Sequence, residues 1–321
     1  MTARDDILAW AEQGRIAPEN LRQALLVSGA LPGAEAWRKF LDRLLLWLGT
    51  VMLGAALVFF LAYNWHDLGR FAKFALTETA LLLALSAVAR IGLEATSGKA
   101  ALLAAAIFTG ALLALIGQTY QTGADPFELF AAWALAILPW AIIGRFAALW
   151  ILWIALLNLA VTLYFQAFHG IFGFVFGPPR QLWLLFCLNA LALVLWELAA
   201  ASGTAWLASR WPARLLATAS GGFITTLAIM SIIDERIDLA AMLVLAAWLA
   251  CAYVLYRRRI PDLYVLAGAS LSVIVVITAF LGKHLIGHDA AGASLFIGLV
   301  VIGLSAAAGW WLKQVAKEQA P

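Results

Sequence analysis

The side chains whose types and spacing could do chemistry together are a carboxylate, two amides and a phenol: Glu78, Gln118, Gln121 and Tyr120. The last three fall in Gly117-Gln-Thr-Tyr-Gln-Thr-Gly-Ala-Asp-Pro-Phe-Glu-Leu-Phe130, the most polar interruption between two apolar runs. Folded over the helix that bears Glu78, this stretch would line a polar pocket beneath a membrane surface. Such a set suits capture of a polar or cationic group, or relay of a proton. Bond cleavage would need an activated nucleophile that the chain does not display. The expectation is a protein that is not an enzyme and that needs no cofactor.

Each of these residues also has a plainer reading. Asp125 can cap the following helix, with Pro126 at its first position and Glu128 at the third, a capping box whose carboxylates suit the positive helix end. Gly117, Gln118, Tyr120, Gln121 and Gly123 are left over, as members of a packed polar network or as a ligand-facing wall. Glu78 follows Lys73 and Arg70 on the second apolar segment and is flanked by Thr77 and Thr79. It is either satisfied by Lys73 or a neighbouring helix, or it forms a cation or proton site in an outward-facing cavity.

Other polar residues carry weaker signals. Asn158 and Asn189, midway along two apolar segments, can bridge helices. Glu197 stands near a segment end and can reach the interface. His66, His169, His284 and His288 are expected as independent surface residues rather than a metal site, although His284 and His288 would share a helical face. Cys187 and Cys251 read as buried packing residues. The stretch from Asp234 to Asp238 reads as a solvated turn, and Arg257-Arg258-Arg259 as an orientation signal able to touch anionic lipid. Phosphate loops, dinucleotide fingerprints, nucleophile elbows and zinc-protease helices are absent.

The elements that must position these groups are membrane helices. With 64% hydrophobic and 12% charged residues among 321, the chain holds more apolar side chain than a soluble core can hide, ordinary domains being about 25% charged. Segments of about 20 apolar residues cross the hydrocarbon. Ten are expected near 43–63, 71–91, 100–119, 128–144, 146–166, 181–200, 214–233, 239–256, 262–282 and 293–312. The third to fifth should form a tight antiparallel set. Small residues such as Gly49, Gly54, Ser220 to Gly222, Gly268 and Gly303 to Gly309 permit close helix approach.

The fold class expected is therefore all-α: a polytopic helical bundle at 41–313, a small cytosolic helical hairpin head at 1–40 and a cytosolic tail at 314–321. In the head, Thr2 can cap a first helix that stops at Gly14, and Pro18 can open a second that closes at Gly29. Up to Arg43 six basic residues meet six acidic ones, which leaves no electrostatic footprint for nucleic acid. No signal-peptide pattern opens the chain. With the N-terminus inside, 16 basic residues fall on the inner side and 5 on the outer, so both termini are expected in the cytoplasm. Trp65 and Trp183 then fall near outer ends, and Trp47, Trp140, Trp196, Trp310 and Trp311 near inner ends, while Trp150, Trp153 and Trp248 lie deeper as packing residues.

The helical head, a first span ending in Ala62-Tyr63-Asn64-Trp65-His66-Asp67, then Gly117-Gln118-Thr119-Tyr120, Gly123-Ala124-Asp125-Pro126 and Leu129-Phe130-Ala131-Ala132-Trp133 together resemble a bacterial family. It is catalogued as a predicted integral membrane protein with a domain of unknown function (2157). The resemblance covers the head and the first four or five spans. It implies a bacterial inner-membrane location and brings no substrate or catalytic residue. The partners expected are the lipid bilayer and a membrane or envelope protein, with no nucleic acid and an unassigned small ligand. The reading is a binding or accessory protein, with a secondary transporter using Glu78 as the alternative.

Overall fold

A computed structural model describes residues 3–168, 178–234, 238–285 and 290–319. All regular elements among them are helical, and ten helices are long and apolar enough to cross a membrane. The protein is a polytopic helical membrane protein. Two compact units are present: Met1–Ala111 with Lys317–Pro321, and Leu112–Ala316.

The first unit opens with α1 (Ala3–Glu12) and α2 (Leu21–Val27), the latter entered through a 3-10 turn at Pro18–Asn20. These two pack on each other as the expected hairpin, with Ile7 and Leu25 buried. Gly14 and Gly29 take positive φ of 70° and 74° where the chain leaves each helix. Thr2 lies outside the described residues. Helix α3 then runs unbroken over Ala34–Tyr63. It starts well before the span expected at 43, so the boundary drawn between residues 40 and 41 falls inside a helix. Strong helix formers from Ala34 to Leu41 and the exposed Glu35–Lys39 ion pair (2.7 Å) supply no reason to stop. Helix α4 is Arg70–Ile91 and α5 is Thr96–Tyr120. A Cβ on Gly54 would stand 2.6 Å from Ile107, so glycine there does permit α3 to approach α5.

The second unit takes the end of α5, then α6 (Pro126–Gly144), α7 (Ala147–Phe168), α8 (Pro178–Ala201) and α9 (Arg210–Ile233). It continues with α10 (Leu239–Val254), α11 (Leu263–Leu285) and α12 (Ala290–Glu318). Helices α6 and α7 pack closely as an antiparallel pair. Of the expected set of three, α6 and α7 lie wholly in this unit, and the division between units falls within α5. Helix α9 is the centre of its unit, packed against α8, α10 and α11. It buries Ile224 and, almost completely, Ala213, Ala217, Ser220 and Ala228, the last four small residues that let three neighbours approach at once.

Polar ties hold α7 to α8. Asn189 Nδ2 donates to Asn158 Oδ1 at 2.6 Å, and Asn158 Nδ2 donates back at 3.4 Å. The bridge expected from these two residues is present. Trp153 Nε1 donates to the Ala134 carbonyl on α6 at 3.0 Å, and Trp248 Nε1 to Ser220 Oγ at 3.3 Å, so the deep indoles pack between helices as expected. Trp196 differs: it is 6% exposed and belongs to the core around α9 rather than to an interface. Both cysteines, expected as buried, are exposed, because a helix face in a bilayer needs no protein cover. Asp238 is more than part of a solvated turn, since its carboxylate caps α10 by accepting from Ala240 and Ala241 N–H. Glu235, Arg236 and Ile237 lie outside the described residues.

Candidate functional site

Two polar constellations stand out in the second unit. The first is a recess of about 420 Å³ where α5 gives way to α6, walled by Gln118, Gln121, Thr122 and Asp125 over an apolar floor of Leu113, Ala114 and Leu129. Its geometry starts at the C-terminus of α5. Thr122 N–H reaches back to the Gly117 carbonyl at 3.4 Å, the long hydrogen bond of a Schellman helix end. The residue that this motif places in left-handed conformation is usually glycine. Here it is Gln121, with φ of 45°. Gly123 follows at φ of 69°, the left-handed turn expected of it, whereas Gly117 stays within the helix.

Asp125 then sits at the N-cap position of α6 in extended conformation, ahead of Pro126. The capping box forms only in outline. The Asp125 side chain makes no cap hydrogen bond, and the Glu128 N–H is met by the Asp125 backbone carbonyl at 3.0 Å. The Asp125 carboxylate is thereby left on the recess wall. Tyr120, 60% exposed, is not part of that wall. The carboxylate of Asp125 and the amide oxygens of Gln118 and Gln121 are acceptors on this wall. The recess is therefore rich in acceptors and suits a ligand that donates hydrogen bonds, such as an amine or amide.

Glu78 belongs to the first unit and is exposed on α4. The buried ionisable group there is Lys73, 7% exposed, with its ammonium 3.7 Å from the centre of the Trp65 ring. Lys73 is thus held by a cation–π contact instead of by Glu78. Thr77, fully buried, donates to the Lys73 carbonyl at 2.9 Å. His66 is exposed, and His284 Nδ1 lies 2.8 Å from the Phe280 carbonyl. His169 and His288 lie outside the described residues.

The second constellation is one that sequence reasoning missed. Glu197, expected to reach the interface, is 7% exposed and accepts from Arg210 Nη1 and from the Tyr256 hydroxyl, both at 2.9 Å. Asp262, 2% exposed, accepts from Arg210 Nε at 3.3 Å and from Arg214 Nε at 3.0 Å and 3.1 Å. It also accepts from Tyr264 N–H at 3.1 Å, the bond of a residue that opens a helix. Two acids and two arginines thus neutralise one another where α8 ends, α9 and α11 begin and α10 finishes in a π turn at Leu255–Arg259. Ties over 13 to 59 residues of sequence leave no local pattern. The available signal was an acid directly after Arg257-Arg258-Arg259-Ile-Pro and before an apolar run, a helix start in basic surroundings.

Residues 8–150 match the model of a family described as predicted membrane protein (DUF2157). No curated protein and no solved structure matches the chain. The matched region holds the whole recess between α5 and α6, and also the Ala62–Asp67 motif. There Asn64 closes α3 by donating from Nδ2 to the Phe60 carbonyl at 2.9 Å, next to the Trp65 that carries Lys73. The Glu197–Arg210–Asp262 cluster lies beyond the match.

Proposed function

We propose that this protein is a binding or accessory component of a bacterial inner membrane, and not an enzyme. In this reading both termini are cytoplasmic and the α5–α6 recess faces outward, where it captures a small ligand bearing an amine or amide. The observation that carries the reading is Gln121. A side-chain-bearing residue in left-handed conformation costs stability, and such strain is kept where it positions a functional group. Here it holds an amide on the wall of a recess with Gln118 and Asp125. The enclosing match to one family, restricted to residues 8–150, supports placing the activity in this part of the chain.

The test is a thermal-shift screen of the purified full chain against small amines, amides and amino acids. A stabilising ligand whose effect is lost in Gln118→Ala and in Asp125→Asn is expected. Hits that act equally on both variants would remove the recess from consideration. A second reading, secondary transport of a small polar or cationic solute through Glu78, is favoured by an exposed carboxylate on a helix apolar enough to span. It predicts uptake into proteoliposomes that Glu78→Gln abolishes; unaltered uptake in that variant rejects it.

A further inference from the structure

A groove of about 350 Å³ runs between α9 and α11, away from the recess. It starts beside the buried ion-pair cluster and is lined along α9 by Thr218 and Gly222, one and two turns beyond Arg214 on the same face, and along α11 by Tyr264, Gly268 and Leu271. Its mouth is polar. Thr218 Oγ1 and the Tyr264 hydroxyl lie 3.1 Å apart, and the Arg214 guanidinium stands over the Tyr264 ring at 5.7 Å. Arg214 gives its Nε to Asp262, which leaves the two terminal amino groups outside that pair, on a side chain 44% exposed. Deeper in, the lining is apolar apart from Ser272, with Trp248 as one wall.

The glycines decide what the groove is for. A Cβ on Gly221 would strike the Trp248 ring at 2.8 Å, so packing requires that glycine. Gly222 and Gly268 differ: a Cβ on either would meet nothing within 4 Å. No neighbour needs them small, although glycine weakens a helix interior. Their effect is an open channel that continues from an arginine at the membrane-surface end of the helices into the hydrocarbon depth.

We propose that this groove binds one anionic phospholipid, its phosphate on the outer edge of Arg214 beside Tyr264 and one acyl chain along Gly222 and Gly268. Arginine and phosphate match in charge and in donor–acceptor geometry. A zwitterionic lipid offers the same phosphate, but its ammonium meets no free carboxylate, because Asp262 and Glu197 are buried in their own ion pairs. The occupant is therefore a lipid with net negative charge.

Native mass spectrometry of the full chain in detergent, titrated with dioleoylphosphatidylglycerol or dioleoylphosphatidylcholine, tests this. At least tenfold greater retention of phosphatidylglycerol is expected. Gly268→Leu, which fills open space, should lower that retention about tenfold without lowering the ligand-free melting temperature, and Arg214→Gln should bring the two lipids to parity. Equal retention of both lipids by the unaltered protein overturns the proposal, as does undiminished phosphatidylglycerol in Gly268→Leu. A dimer that Gly268→Leu dissociates would overturn it too, by making the groove a face for a second copy of the chain.

Discussion

Gln121 and Asp262 show how differently a single residue can matter. Left-handed conformation costs Gln121 on the order of 1 kcal/mol, and glycine would be free of that strain. Gln121→Gly is therefore expected to stabilise the protein by about 1 kcal/mol in a reversible unfolding assay while losing ligand capture; a variant that is less stable than the parent removes the strain argument. Asp262→Ala acts in the other direction. It strips the carboxylate from Arg210 and Arg214, whose side chains are 28% and 44% exposed. The cost expected is about 2–3 kcal/mol, under the 3–5 of a fully buried pair. Lys39→Ala, at an exposed pair, should change stability by less than about 0.5 kcal/mol. Gln118 and Gln121 were legible as polar residues in a helix break, readable either as a packed network or as a ligand-facing wall. The αL conformation of Gln121 was not, since the glycines beside it looked the better candidates for positive φ. The ion pairs of Asp262 were not legible, because they depend on arginines 48 and 52 positions away.

Helices in this protein are joined by a few specific contacts set in a general fit of small residues. The Asn158–Asn189 pair can be measured as a double-mutant cycle to leucine, with a coupling of about 0.6–1.7 kcal/mol expected. Zero coupling would mean that the two amides are satisfied by their own helices alone, through Ile154 and Leu185 carbonyls. The glycines of α9 separate in the same manner. Gly221→Ala should destabilise by more than about 1 kcal/mol through the Trp248 ring, whereas Gly222→Ala should stabilise by about 0.5–1 kcal/mol. Sequence grouped these glycines together as helix-approach residues, and spacing along one chain cannot tell which faces a neighbour. The bridging asparagines were readable, because an amide in mid-span has few alternatives to a partner helix.

At the scale of the molecule the ten helices were the most legible feature, since hydropathy over about 20 residues reports a physical requirement of the bilayer. Their starts were less so: α3 begins at Ala34 because nothing polar or kinked stops it, although only its later part is apolar. Five helices long and apolar enough to span lie between the α5–α6 break and the π turn after α10, and the proposed topology sets the two on opposite membrane faces. In a background with Cys187 and Cys251 replaced by serine, a membrane-impermeant maleimide should label Gln121→Cys in intact cells. Arg258→Cys should react only after permeabilisation. Labelling of both from one side would break the alternation of spans.

The π turn at Leu255–Arg259 has a further consequence. Ile260 N–H returns to the Leu255 carbonyl at 2.9 Å, and Asp262 N–H to the Tyr256 carbonyl at 3.1 Å. Tyr256 must reach Glu197 while Asp262 meets Arg210 and Arg214, so the stretch between them works as a ruler of set length. Changing any of its three arginines to lysine would leave that measure intact. Removing one would shorten the stretch by a residue and draw Asp262 away from its arginines, and a loop that looks tolerant of insertion and deletion would prove to be among the least tolerant in the chain.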